Sequence, residues 1–225
     1  VYTVDLLGCG RSDKSSITYT NFVYVQMISD FIKKIIGQKT DVIASGFSGS
    51  FVTMACHNEK ELFNKIMLIN PPSLTQLKQM PNRKDRLLKA ALEIPIFGTL
   101  VYHMIVSRDN INNLFIEKMY YNPFHVDNQM ADAYYEAAHK GGYYTRFLYS
   151  SLAAKYININ ICHALKALDN SIYIVEGETE PNGKAVTNDY CASNPAIEVS
   201  VLKETKHLPH VEAPEAFLEQ VKIFF

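Results

Sequence analysis

Residues 41–56 read DVIASGFSGSFVTMAC, an apolar run that passes through a glycine-serine cluster into a helical pattern. Within it, Gly46-Phe47-Ser48-Gly49-Ser50 follows G-x-S-x-G with serine in place of the last glycine. That pattern suits a sharp strand-to-helix turn that pushes a serine hydroxyl out at the carboxyl end of a sheet. Residues two before and two after the serine come close together in such a turn, so they must be small, and serine at position 50 is tolerated at modest cost. The turn also places the Gly49 backbone N–H at a helix N-terminus, where it can bind a developing oxyanion. A simpler alternative is that Ser48 or Ser50 caps the helix.

A serine hydroxyl is a weak nucleophile without a base, which directs attention to the carboxyl-terminal third. SIYIVEGETEPNGK reads as a strand followed by a loop carrying Glu178 and Glu180, and IEVSVLKETKHLPHVEAPEAF as a strand followed by a loop carrying His207 and His210. The order serine, acid, histidine is one that nucleophilic hydrolysis uses. Strand-like runs at 1–6, 41–46, 65–70, 171–176 and 197–203 are nearly continuous in apolar residues, as expected for strands covered on both faces. Helical patterns at 20–36, 49–58 and 214–224 alternate with them. The alternation predicts an α/β fold with a mostly parallel sheet flanked by helices, because parallel neighbours need crossover connections.

Residues 72–169 break the rhythm with several helical patterns and no convincing strand. They read as a helical cap or lid inserted into a core made of 1–71 and 170–225. The insertion is rich in tyrosine and phenylalanine, including Tyr102, Phe115, Tyr120, Tyr134 and Tyr149. Such rings either pack helices together or line an apolar pocket beneath the lid. The nearly apolar run 94–106 contains Pro95, Gly98 and His103 and is too short to span a membrane, which takes roughly 20 residues. It reads as a buried or substrate-facing helix, with an interfacial helix as the lesser option.

Four segments in order resemble the α/β-hydrolase superfamily in its lidded branch. VDLLGCGRSDK resembles that family's strand and loop before the nucleophile segment, SGFSGS its nucleophile elbow, VEGETEP its acid loop and KHLPHVEAPEAF its histidine loop and closing helix. The resemblance covers nearly the whole chain, the inserted helices matching in placement only. It implies Ser48 as nucleophile, His207 as base, Glu180 as orienting acid with Glu178 as fallback, and the Gly49 backbone as one oxyanion donor. His210 is then a packing or loop-bracing residue, and Glu212 and Glu215 are solvated residues near the start of the final helix. Glutamate at 180 departs from the aspartate frequent there. The implied reaction is cleavage of an ester, thioester or similar acyl bond of a small, apolar substrate through an acyl-enzyme. An acyltransferase, or an inactive relative binding a small molecule or partner under the lid, fits the same motifs.

The chain opens on VYTVDLLG, a strand in full stride, so the expectation is that further sequence precedes Val1. The resemblance implies that a missing strand would sit between 1–6 and 41–46 and that its loop would supply the second oxyanion donor.

Composition narrows the partners. A formal net charge of −1 offers no basic surface for nucleic acid or anionic lipid. Cys9, Cys56, Cys162 and Cys191 lack the spacing of a zinc knuckle or dense disulfide framework, which fits a reducing, cytoplasmic setting. The seven histidines show no ligand-like spacing, and Gly8-Cys9-Gly10 lacks the third glycine of a dinucleotide loop. The expectation is therefore no cofactor and no metal, with a small acyl compound as partner. The sequence does not fix an oligomeric state.

Overall fold

The computed structural model describes residues 1–225, the side chain of Asn128 excepted. Four strands form one parallel sheet in the order β1 (Thr40–Ser45), β2 (Phe63–Ile69), β3 (Ile172–Gly177) and β4 (Glu198–Leu202). The helices α1 (Asn21–Phe31), which runs into a π turn at Ile32–Ile36, and α2 (Phe47–Asn58) flank β1 in sequence. Gly37 ends the first at φ 72°, a left-handed stop that glycine adopts cheaply.

The side-chain period of two divides the central strands between two cores. Ile66 and Leu68 of β2, with Ile172 and Ile174 of β3, face Tyr24, Phe51 and Tyr190. Met67, Tyr173 and Val175 point the other way, against Leu202 and the closing helix. The two central strands are thus covered on both faces, which is why their sequences read as unbroken apolar runs. The edge strands β1 and β4 are only partly covered.

Between β2 and β3 no strand occurs among the described residues. The chain there forms α3 (Leu74–Leu77), α4 (Arg83–Glu93), α5 (Pro95–Ile105), α6 (Arg108–Leu114), α7 (Asn128–His139), α8 (Thr145–Ala153) and α9 (Cys162–Ala167). The remaining helices are α10 (Gly183–Ser193), α11 (Pro209–Glu212) and α12 (Pro214–Phe224). A small core of Ile111, Phe115, Tyr120 and Ala131 closes over Leu208, so these helices grip the histidine loop directly.

Two expectations need correction. Residues 1–6 form no strand: Val1, Tyr2 and Val4 are exposed, and Asp5 instead closes a loop by accepting the Arg11 N–H at 2.8 Å. A strand needs a ladder partner, and β1 is the edge of the sheet with only β2 beside it. The run 94–106 is not a buried helix either. In α5 only Gly98 and Tyr102 are buried, while Ile96, Phe97, Leu100 and Met104 face outward. Gly98 lies against the Leu92 carbonyl, where a Cβ would collide, at the 96° bend between α4 and α5. Among the described residues no single helix is long and apolar enough to cross a membrane.

Candidate active site

The carboxyl ends of β2, β3 and β4 converge on Asn70. This residue follows β2 in a left-handed conformation, φ 40°, and is 6 % exposed. Its Nδ2 donates to the carbonyls of Lys206 and His207 at 2.9 and 3.0 Å, and its Oδ1 accepts the Gly177 N–H at 3.0 Å. One amide therefore fixes the histidine loop to the end of β3. Gly177 permits the approach, since a Cβ there would strike the Lys206 carbonyl. Glu212, expected to be solvated, braces the same loop. Its two carboxylate oxygens accept the N–H groups of Lys206 at 2.8 Å and Tyr121 at 2.7 Å. The His207 N–H donates to the Met119 carbonyl at 3.1 Å.

Held this way, His207 Nδ1 lies 3.1 Å from Glu180 Oε1. A carboxylate only accepts, so Nδ1 carries the proton and Nε2 is left as the base. The hydrogen bond to Glu180 raises the His207 pKa above the usual histidine value, with burial opposing it. The second Glu180 oxygen is buried without a partner. Glu178 points elsewhere and accepts the Glu204 N–H at 3.0 Å. The His210 ring lies 5.8 Å from that of Phe217, and burial lowers its pKa. Glu215 stands in the exposed first turn of α12.

The opposite wall departs from expectation. Strand β1 ends at Ser45, α2 begins at Phe47, and the residue at the vertex is Gly46, with φ 57° and ψ −132°. Only glycine adopts such angles without strain. The turn is therefore two residues earlier than the G-x-S-x-G reading placed it. Ser48 lies in the first turn of α2, and its hydroxyl donates to the Ser45 carbonyl at 2.6 Å. Ser50 bonds the Phe47 carbonyl in the same way, so neither hydroxyl caps the helix. The Gly49 N–H donates to the Gly46 carbonyl at 3.1 Å instead of standing free. Gly49 serves packing, with Leu68 of β2 close behind it. Five of the six residues 45–50 are glycine or serine, so the sequence admits either register.

Between the two walls lies a cavity of about 400 Å³. Gly46 and Phe47 line one side, Glu180 and His207 another, with Asn70, Gln76, Glu176 and Thr187 between them. Ser48 is not part of this lining. The lining is more polar than the aromatic-rich insertion suggested, because those rings pack on one another: Tyr102 with Tyr149, Phe115 with Tyr120 and Tyr134. A second cavity of about 520 Å³, around Phe22, Met54 and Tyr156, holds neither member of the His207–Glu180 pair.

The sequence profile described as "Alpha/beta hydrolase family" matches residues 1–220. The chain belongs to the alpha/beta hydrolase family. Among solved structures this hydrolase-family chain is similar to the 2-hydroxy-6-oxo-6-phenylhexa-2,4-dienoate hydrolase of Rhodococcus sp. strain RHA1, at 16 % identity and TM-score 0.74, covering 98 % of this chain and 78 % of that one. It is also similar to a bromoperoxidase from Bacillus anthracis, at 11 % identity and TM-score 0.73, covering 96 % and 78 %. A thermophilic esterase from Thermogutta terrifontis aligns at 12 % identity and TM-score 0.71, covering 97 % and 76 %. No curated protein sequence matches. At these identities the structural likenesses establish the alpha/beta hydrolase fold and leave the chemistry to the residues of the cavity.

Two lining residues escaped the sequence reading. Asn70 is the polar end of LIN before Pro71-Pro72, and Glu176 is the one charge in the strand sequence IYIVEG. A polar residue closing an apolar strand was the available signal.

Proposed function

We propose that this protein hydrolyses the ester, thioester or similar acyl bond of a small molecule held in the cavity, with His207 as general base and Glu180 as its orienting acid. The observation that carries this reading is the 3.1 Å contact of His207 and Glu180 beside a cavity of substrate size. With glycine at the vertex, water is the attacking species. His207 Nε2 takes a proton from water as its oxygen bonds to the acyl carbon. The carbon–oxygen or carbon–sulfur bond then breaks, and the imidazolium returns that proton to the leaving alcohol or thiol. Glu180 stabilises the imidazolium meanwhile. The amino end of α2, at Phe47, supplies positive potential for the oxyanion.

A second reading keeps Ser48 as nucleophile of an acyl-enzyme in a Ser48–His207–Glu180 triad. It is favoured by the G-x-S-x-S spacing and requires the Ser48 hydroxyl to leave the Ser45 carbonyl. A panel of p-nitrophenyl esters together with a fluorophosphonate probe separates the readings. Water attack predicts turnover that His207→Ala removes, with no label on Ser48. Labelling at Ser48 that vanishes in Ser48→Ala supports the second. Absence of both turnover and labelling overturns both and leaves a small-molecule binding protein.

A further inference from the structure

Glu176 is the buried acid that the reaction above does not use. It lies on β3 among the lining residues of the cavity, and it is 5 % exposed. Among the described residues no ion pair reaches its carboxylate, and the side chain that hydrogen-bonds it is Thr187. The Thr187 hydroxyl is shared, since it also lies 3.2 Å from the carbonyls of Gly183 and Lys184. The carboxylate lies against the amino end of α10 at Gly183, where a Cβ would collide with it. That placement favours its charged form. Burial acts the other way and raises its pKa, with Thr187 tempering the shift and Glu180 adding to it.

A carboxylate buried this far is ordinarily matched by a cation or by donors. Among the described residues no lysine or arginine lines the cavity, and the one cationic candidate in its lining, His207, is bonded to Glu180. The cavity therefore holds two acidic side chains and one histidine that is already engaged. It disfavours an anionic ligand and lacks one positive charge.

We propose that Glu176 receives the ammonium group of the substrate, which makes the preferred substrate a small amino-acyl compound. This assignment rests on the proposed function for its acyl group, while the ammonium site itself can be read by binding alone. An ammonium supplies up to three donors and a full charge, so it gives the Glu176 carboxylate the cation that the lining does not provide and offsets its desolvation.

Calorimetry with L-alaninamide and propionamide, which differ by the ammonium group, tests it at neutral pH. The expected result is binding of L-alaninamide tighter by about tenfold or more, with the preference lost in Glu176→Gln. Equal binding of the two amides, or a preference that survives in Glu176→Gln, overturns the assignment. The ratio of turnover of alanine ethyl ester to ethyl propionate should follow the same pattern. An intact amine preference with no ester turnover would remove the hydrolytic reading and leave the ammonium site standing.

Discussion

The histidine wall of the cavity is held by side chains from several elements, whereas the wall facing it is made of backbone. Asn70, Glu212 and Glu180 each bond the loop that carries His207, and Leu208 packs into the small core of Ile111, Phe115, Tyr120 and Ala131. On the other side a single glycine turns β1 into α2, and its neighbouring hydroxyls are occupied with carbonyls one turn back. Positioning an imidazole takes many constraints, because its ring must present one particular nitrogen. A strand-to-helix turn needs only one residue able to take a positive φ. The contrast supports the proposed placing of the chemistry in the histidine wall.

Four substitutions sharpen that contrast, in descending order of effect. His207→Ala removes the base and should lower ester turnover by about 10²- to 10⁴-fold, measured as kcat/KM. Asn70→Ala strands the Gly177 N–H and two loop carbonyls. It should destabilise the fold by about 2–3 kcal/mol in denaturant unfolding, since an unsatisfied buried polar group costs about 1–3 kcal/mol. Gly46→Ala meets open space, with nothing within 4 Å of its Cβ, so backbone strain is the whole effect. That strain is about 1–3 kcal/mol, visible as a lowered Tm. Glu180→Gln changes the pH dependence more than the fold.

The sign of that last effect follows from the pair. His207 must be neutral to act as base, and Glu180 raises its pKa. Activity should therefore rise with pH through a midpoint above the usual histidine value. In Glu180→Gln the midpoint should move to lower pH, as read from the kcat/KM profile. The same pairing stabilises the folded protein below the usual histidine value, and that contribution is lost as pH rises through the raised pKa.

Much of this arrangement was legible in the sequence, and the failures are local. The strands β2 and β3 announce themselves because burial on both faces removes alternation. The histidine and acid loops follow their strands as the motifs implied. Residues 1–6 have the composition of a strand, but composition cannot supply the partner that a ladder requires. The vertex was misplaced because Ser45, Gly46, Ser48, Gly49 and Ser50 are all small, and only the backbone angles of Gly46 choose the register. Asn70 and Glu176 were missed because each ends an apolar run, where a polar residue is easily read as the start of a loop.

Turnover of a p-nitrophenyl ester by Ser48→Ala tests the central claim most directly. With water as nucleophile and glycine at the vertex, the variant should retain the activity of the parent protein to within about twofold. A loss comparable to that of His207→Ala would contradict this and make Ser48 the attacking group.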